Sequence, residues 1–198
     1  MGVAVVKLGV GNTASVMFAL ERAGADAVLT DDAVRISEAE RVILPGVGAA
    51  GRAMELMRAK NLTATLKAFP RPLLGICLGQ QLLYESSEES GAAALGVLAG
   101  RVTRLPASRA NPSPHMGWTK LRREREHPLF EGVADWAYAY FVHSYVCPLG
   151  AETIASADYG VRFGAAVAQG NFFGCQFHPE RSGETGARIL QNFLRLPC

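Results

Sequence analysis

The sequence predicts an α/β fold: a mostly parallel central sheet flanked by helices, with additional antiparallel strands in the second half. Three observations carry this. Short apolar runs alternate with helical patterns through residue 85, as strand–helix–strand units do. Beyond residue 97, strand-like runs follow one another with turn signals between them and little helix until the end. Where the halves meet, an apolar run ends at one cysteine, Cys77, set between Gly75 and Gly79, and a helical pattern begins at once. A buried strand that turns sharply into a helix presents a nucleophile in this way. The glycines permit a backbone geometry that side chains would block, and the helix N-terminus favours thiolate over thiol.

Taken in order, residues 3–8 read as the first strand, residues 9–12 as a loop, and Asn12 or Thr13 as the cap of a helix reaching residue 23. Gly9-Val10-Gly11-Asn12-Thr13-Ala14 matches the spacing of a dinucleotide fingerprint, a weak signal on its own, and the favoured reading is a tight strand-to-helix turn. Residues 25–29 form a second strand, and a polar segment leads to a third at 41–44. Pro45-Gly46-Val47-Gly48 follows directly, then an amphipathic helix over 49–60. Pro70 and Pro72 reset the chain before the strand that ends at Cys77, and its helix runs from residue 78 to 85. Short strand signals cover 97–105, and residues 106–114 are a loop rich in Pro, Ser and Asn. Strands are expected at 136–142, 153–157, 163–169 and 172–177, with Gly170-Asn171 as the hairpin turn between the last two. A helix over 184–194 closes the chain.

The 198 residues suit a single domain over 1–198. No apolar run approaches the ~18 residues that a membrane span needs. The N-terminus lacks the basic segment and cleavage site of a signal peptide, so a cytoplasmic protein is expected. A net charge of +2 is too small to argue for nucleic acid, which is not expected as a partner, and the densest charge run, residues 122–126, mixes signs and reads as a solvated loop or strand edge. The four cysteines form no C-x-x-C pair, which disfavours a zinc site or disulfide framework.

The last strand runs into His178-Pro179-Glu180. In an extended segment, residues two apart point the same way, so His178 and Glu180 face one site. A carboxylate beside a histidine fixes its tautomer, and that histidine takes a proton from a cysteine. Cys77, His178 and Glu180 therefore supply nucleophile, base and orienter. Acyl transfer also needs donors aimed at an oxyanion. The backbone N–H of Leu78 and the glycine loop Gly46, Val47 and Gly48 are the two sources. Taken alone, each part has an ordinary reading: a buried cysteine, a turn, a strand-to-helix connection. Their joint occurrence points to an active site.

Gly75-Ile76-Cys77-Leu78-Gly79-Gln80-Gln81 with Phe177-His178-Pro179-Glu180 resembles the class I (triad) glutamine amidotransferases, and the match is close to full length. The resemblance implies that family's flavodoxin-like fold and an attack by Cys77 on the side-chain amide of L-glutamine. It implies that Gln81 and Glu89 hold the glutamine, with the backbone of Ser144 and Tyr145 near its carboxylate, and that no metal or organic cofactor is used. Three segments narrow the resemblance to the glutaminase subunits of imidazole glycerol phosphate synthase. They are Gly11-Asn12-Thr13-Ala14-Ser15, Pro114-His115-Met116-Gly117-Trp118 and Tyr140-Phe141-Val142-His143-Ser144-Tyr145. That family implies a heterodimer with a separate (β/α)8-barrel cyclase subunit, to which ammonia passes in histidine biosynthesis. Asn12, Trp118 and Arg181 match positions near this partner. With no recipient domain in sight, a partner protein is expected on that ground too.

The chain departs from the family pattern at Thr119, where Asn is usual, at Leu8, where Asp or Tyr is common, and at Arg181, where Lys is usual. Leu8 and Arg181 bear on the partner surface. Glutaminases of anthranilate or aminodeoxychorismate synthase are the alternative, and Met116-Gly117-Trp118 argues against them. A catalytically silent binding module is disfavoured by the complete triad.

Overall fold

The computed structural model describes residues 2–9, 13–89, 91 and 93–198. Its first half runs β1 (Val3–Val6), α1 (Thr13–Arg22), β2 (Ala27–Thr30), α2 (Ala33–Glu38), β3 (Arg41–Gly46), α3 (Ala50–Ala59), α4 (Leu62–Lys67), β4 (Leu73–Cys77) and α5 (Leu78–Gln81). The second half is β5 (Ser86–Ser87), β6 (Arg101–Arg104), β7 (His115–Lys120), β8 (Arg122–Arg123), β9 (Tyr138–His143), β10 (Tyr145–Val146), β11 (Thr153–Asp158), β12 (Arg162–Gln169), β13 (Phe172–Cys175) and α6 (Gly183–Arg195). Short 3₁₀ turns occur at Pro128–Phe130 and Pro179–Arg181.

Eight strands form one sheet in the order β2-β1-β3-β4-β13-β12-β11-β8. Neighbours from β2 to β13 are parallel, and those from β13 to β8 are antiparallel. Both faces are covered. Val3, Val5, Ile43 and Ile76 pack with Val16 and Leu20 of α1 and with Ile189, Leu190 and Phe193 of α6. The alternate residues Ala4, Val6, Val42, Leu44 and Leu73 pack with Ile36 of α2, Met54 and Met57 of α3, and Leu62 and Leu66 of α4. This is the period-two alternation of a strand buried on both sides, which reads as a continuous apolar run. Each fully buried Leu, Ile or Val contributes about 1.5–3 kcal/mol.

Two smaller sheets sit beside this one. Strands β10, β6 and β5 form the first, and β7 and β9 form an antiparallel ribbon with Trp118 opposite Tyr140 and His115 opposite His143. Gly170 and Asn171 turn β12 into β13, which pairs Gln169 with Phe172. The charged run at 122–126 holds the edge strand β8, paired with Ala155 and Ser156.

The structure corrects the sequence reading in four places. The polar segment before β3 contains α2, capped by Asp32, whose Oδ1 accepts from the Val34 N–H at 2.8 Å. Helix α3 ends at Ala59, and a second helix absent from the sequence reading, α4, starts directly after Asn61, which takes a left-handed φ of 56°. The helix after Cys77 ends at Gln81 rather than near residue 85, because the N–H groups of Leu95, Gly96 and Val97 donate to the carbonyls of Leu82, Tyr84 and Leu83. Strand β7 lacks an apolar alternation because its inward positions are His115, Gly117 and Thr119, while Met116 and Trp118 face out.

Strand β4 and α5 approach each other, and β3 as well, at Gly75 and Gly79. A Cβ on Gly79 would overlap the carbonyl of Leu44, and one on Gly75 would lie 2.5 Å from the Gly79 carbonyl carbon. Both obstacles are backbone and do not yield. Gly79→Ala is therefore expected to cost at least about 1–3 kcal/mol of unfolding free energy in urea denaturation. An unchanged midpoint and slope contradict this packing.

Candidate active site

Cys77 sits where β4 turns into α5, with φ 53° and ψ −108°. A non-glycine residue seldom adopts this region, at a cost of about 1–3 kcal/mol. The flanking glycines make room for the turn, but Cys77 itself takes the strained conformation. The parallel register pairs Gly46 with Cys77, so the loop after β3 begins directly beside the sulfur.

Because α5 has four residues, its dipole is weaker than the sequence suggested. Other groups hold the sulfur. Its Sγ lies 3.5 Å from the carbonyl oxygen of Val142, an acceptor for the sulfur in its protonated form. The amide Nε2 of Gln176 donates to Sγ at 3.7 Å from within the core.

His178 leaves the end of β13 in an extended conformation, and Glu180 lies in the following 3₁₀ turn rather than in an extended run. The two nevertheless meet: His178 Nδ1 is 2.8 Å from Glu180 Oε1. The backbone here is clamped. The His178 N–H donates to the Tyr140 carbonyl at 2.9 Å, and the Ser182 hydroxyl donates to the His178 carbonyl at 2.7 Å while accepting from the Tyr140 N–H at 2.9 Å. Burial by itself lowers the His178 pKa. Hydrogen bonding with Cys77 and then with Glu180 outweighs it, so the value rises from 6.5 to about 10.

Cys77, His178 and Glu180 all line one cleft of about 520 Å³. Gly46, Val47, Gly48 and Leu78 line it too, as do Gln81, Glu89, Ser144 and Tyr145. Gly48 adopts a left-handed φ of 93°, which favours glycine in that loop. Glu89 has a structural task besides: its Oε2 accepts from the Ala50 N–H at 2.6 Å and ties the start of α3. Gln81 Nε2 donates to the Tyr145 carbonyl and to Gln176 Oε1, each at 3.0 Å. Both amide hydrogens are then engaged, and its own carbonyl oxygen remains the acceptor for a ligand.

Trp118 is exposed on the ribbon and meets the Tyr140 ring edge-on, with centroids 5.8 Å apart. The Arg181 guanidinium lies 5.3 Å from the centre of the same ring. Tyr140 and Arg181 also line the cleft, so this surface reaches its rim. Asn12 and part of the fingerprint spacing lie outside the described residues. Leu8 is buried in the core on the α2–α4 side of the sheet, not displayed on a surface, which corrects the reading of that departure.

Burial raises the thiols of Cys147 and Cys175 well above their ordinary range. His127 Nδ1 accepts from the Leu129 N–H at 3.1 Å and caps a 3₁₀ turn. Among the described residues, no group of three or more His, Cys, Asp or Glu is arranged to hold a metal ion.

Sequence reasoning missed Gln176, Ser182 and the carbonyl of Val142. Gln176 stands two residues before His178, so strand alternation already placed it on the same side. Ser182 had no signal, because its role follows from the turn at Pro179–Arg181.

A nucleophile on an elbow, a carboxylate-oriented imidazole and a glycine loop in one cleft are the parts of an acyl-transfer site. The pattern of the glutamine amidotransferase class-I family matches residues 9–196, and the chain belongs to that family. Solved structures share the fold: a glutamine amidotransferase superposes with a TM-score of 0.75 at 22% identity, covering 97% of this chain and 96% of the other. More particularly, the chain is similar to the imidazole glycerol phosphate synthase subunit HisH of Xanthomonas axonopodis pv. citri (strain 306). The two are 50% identical, over 98% of this chain and 97% of the relative. The HisH subunit of Colwellia psychrerythraea is 45% identical over 97% of this chain and 92% of its own length.

Since His178 has a raised pKa, its imidazolium persists through neutral pH and is lost as pH rises through about 10. A pH–rate profile of turnover at this site is expected to fall on the alkaline side near that value. Glu180→Gln removes one stabiliser of the cation and is expected to move that limb to lower pH. A limb that stays in place contradicts the assigned cause.

Proposed function

We propose that this chain is the glutaminase subunit of imidazole glycerol phosphate synthase. It hydrolyses L-glutamine to glutamate and ammonia, and passes the ammonia to a (β/α)8-barrel cyclase subunit in histidine biosynthesis. The reading rests on one observation above all: Cys77, the His178–Glu180 pair and the loop after β3 converge on one cleft in a chain 45% and 50% identical, over nearly its whole length, to HisH subunits.

The chemistry follows from the geometry. The Cys77 thiolate, paired with imidazolium His178, attacks the side-chain carbonyl carbon of glutamine. Negative charge develops on the amide oxygen, where the N–H of Leu78 and those of the loop Gly46, Val47 and Gly48 stabilise it. His178 gives its proton to the leaving nitrogen. The C–N bond breaks, ammonia departs and a γ-glutamyl thioester forms on Cys77. His178 then takes a proton from water, the resulting hydroxide attacks the thioester, and glutamate leaves as the thiolate re-forms. Glu180 keeps Nδ1 engaged, so the other ring nitrogen handles these protons. Gln81, Glu89 and the backbone of Ser144 and Tyr145 hold the substrate's amino-acid end.

Trp118 and Arg181, which meet the Tyr140 ring edge-on and over its face at the rim, belong to the face that meets the cyclase, and Asn12 is assigned to it with them. A ring shared by the docking face and the cleft gives the partner a mechanical hold on the site. The protein acts in the cytoplasm as one domain paired with that subunit.

Cys77→Ala is expected to lower glutamate release by at least about 10³-fold while the variant still binds the cyclase, measured by coupled glutamate assay and by co-elution. Retained hydrolysis contradicts the nucleophile. In the unmodified chain, the cyclase and its nucleotide substrate are expected to stimulate glutamine turnover. The absence of stimulation contradicts the partner.

A further inference from the structure

The ribbon carries a buried chain of polar side chains that the reaction above leaves unused. Thr119 Oγ1 lies 2.9 Å from His115 Nε2, and His115 Nδ1 lies 3.0 Å from His143 Nε2. His143 Nδ1 lies 2.9 Å from the Tyr145 carbonyl oxygen. A carbonyl oxygen only accepts, so Nδ1 of His143 carries the hydrogen. In neutral rings the rest is then fixed. His143 Nε2 accepts from His115 Nδ1–H, and His115 Nε2 accepts from the Thr119 hydroxyl.

The rings are neutral at physiological pH. Burial lowers the pKa of His115 to about 4, and burial together with the neighbouring His115 lowers that of His143 to about 3. His115 is also held mechanically. It stacks against Tyr159 with centroids 3.9 Å apart and against Phe141 at 5.1 Å, each within 20° of parallel.

The far end of the chain is the cleft. The Tyr145 oxygen that accepts from His143 also accepts from Gln81 Nε2 at 3.0 Å, and His143 and Tyr145 both line the cavity. Two donors on one carbonyl fix the segment at 144–145 from opposite sides. One comes from the ribbon and the other from α5.

We propose that Thr119 and His115 are positioning residues for glutamine binding. Through His143 they fix the Tyr145 carbonyl, and with it Gln81 and the backbone that receives the substrate's carboxylate. This rests on the reading of the cleft as a glutamine site. Neither residue touches the reacting atoms, so the chain acts on substrate affinity and not on bond breaking. It also gives Thr119 a task at a position where the family pattern carries Asn: its hydroxyl is the donor that selects the His115 tautomer.

The test uses the complex with the cyclase and compares the unmodified chain with Thr119→Val and Thr119→Ser. Valine keeps the shape and removes the hydroxyl, leaving His115 Nε2 a buried acceptor without a donor. Thr119→Val is expected to raise KM for glutamine about 5–10-fold, with kcat changed less than about 2-fold, and Thr119→Ser to restore KM. Imidazole ¹⁵N NMR of the unmodified chain is expected to show His143 and His115 as Nδ1–H tautomers, with the His115 signal shifted in Thr119→Val and restored in Thr119→Ser. An unchanged KM, a fall in kcat without a rise in KM, or failure of serine to rescue overturns the proposal. So does an Nε2–H tautomer at His143 in the unmodified chain. If the unmodified complex turns over no glutamine, the functional reading fails first, and the tautomers still decide whether the chain of hydrogen bonds exists.

Discussion

The structure depends on a backbone constraint at the end of β4. Cys77 is held at a positive φ while α5 presses back against β3, close enough that Gly79 meets the Leu44 carbonyl. The strain persists because parallel strands on both sides of β4 fix the register, with Gly46 against Cys77 and Cys175 against Ile76. These pairings also bring the loop after β3 and the exit of β13 to the same end of the sheet. Three stretches far apart in the chain become one site because the parallel strands all point their carboxyl ends there.

Much of this was legible because the buried strands are short apolar runs and the punctuation is strong. The elbow at Cys77, the loop at Gly46 to Gly48, the turn at Gly170 and the His178–Glu180 pair all carry glycine, proline or motif signals. The illegible parts have a common cause. Helices α2 and α4 are too short for helical periodicity to stand out, although Asp32 was a usable cap. The helix after Cys77 was overextended because its continuation is apolar, while the carbonyls that would continue it are claimed by residues 95–97. Strand β7 was invisible because its apolar residues face solvent and its inward ones are the buried His115 and the half-buried Gly117 and Thr119. Apolar alternation is blind to a strand whose polarity is inverted in this way.

The electrostatics divide the histidines by their partners. His178 has a carboxylate and a sulfur beside it and is raised to about 10. His143 and His115 are buried with no anion at hand and are lowered to about 3 and about 4. One cleft therefore holds a charged imidazole, His178, and a neutral one, His143.

The most direct measurement of the central claim is labelling by an alkylating glutamine analogue, such as diazo-oxo-norleucine, followed by peptide mapping in the presence and absence of glutamine. The chain has four free cysteines, of which Cys198 is exposed and Cys77, Cys147 and Cys175 are buried. Exposure alone therefore directs the reagent to Cys198, and a built glutamine site directs it to Cys77. The account predicts one adduct per chain, on Cys77, suppressed by glutamine. Labelling of Cys198, or labelling of Cys77 that glutamine leaves undiminished, contradicts it.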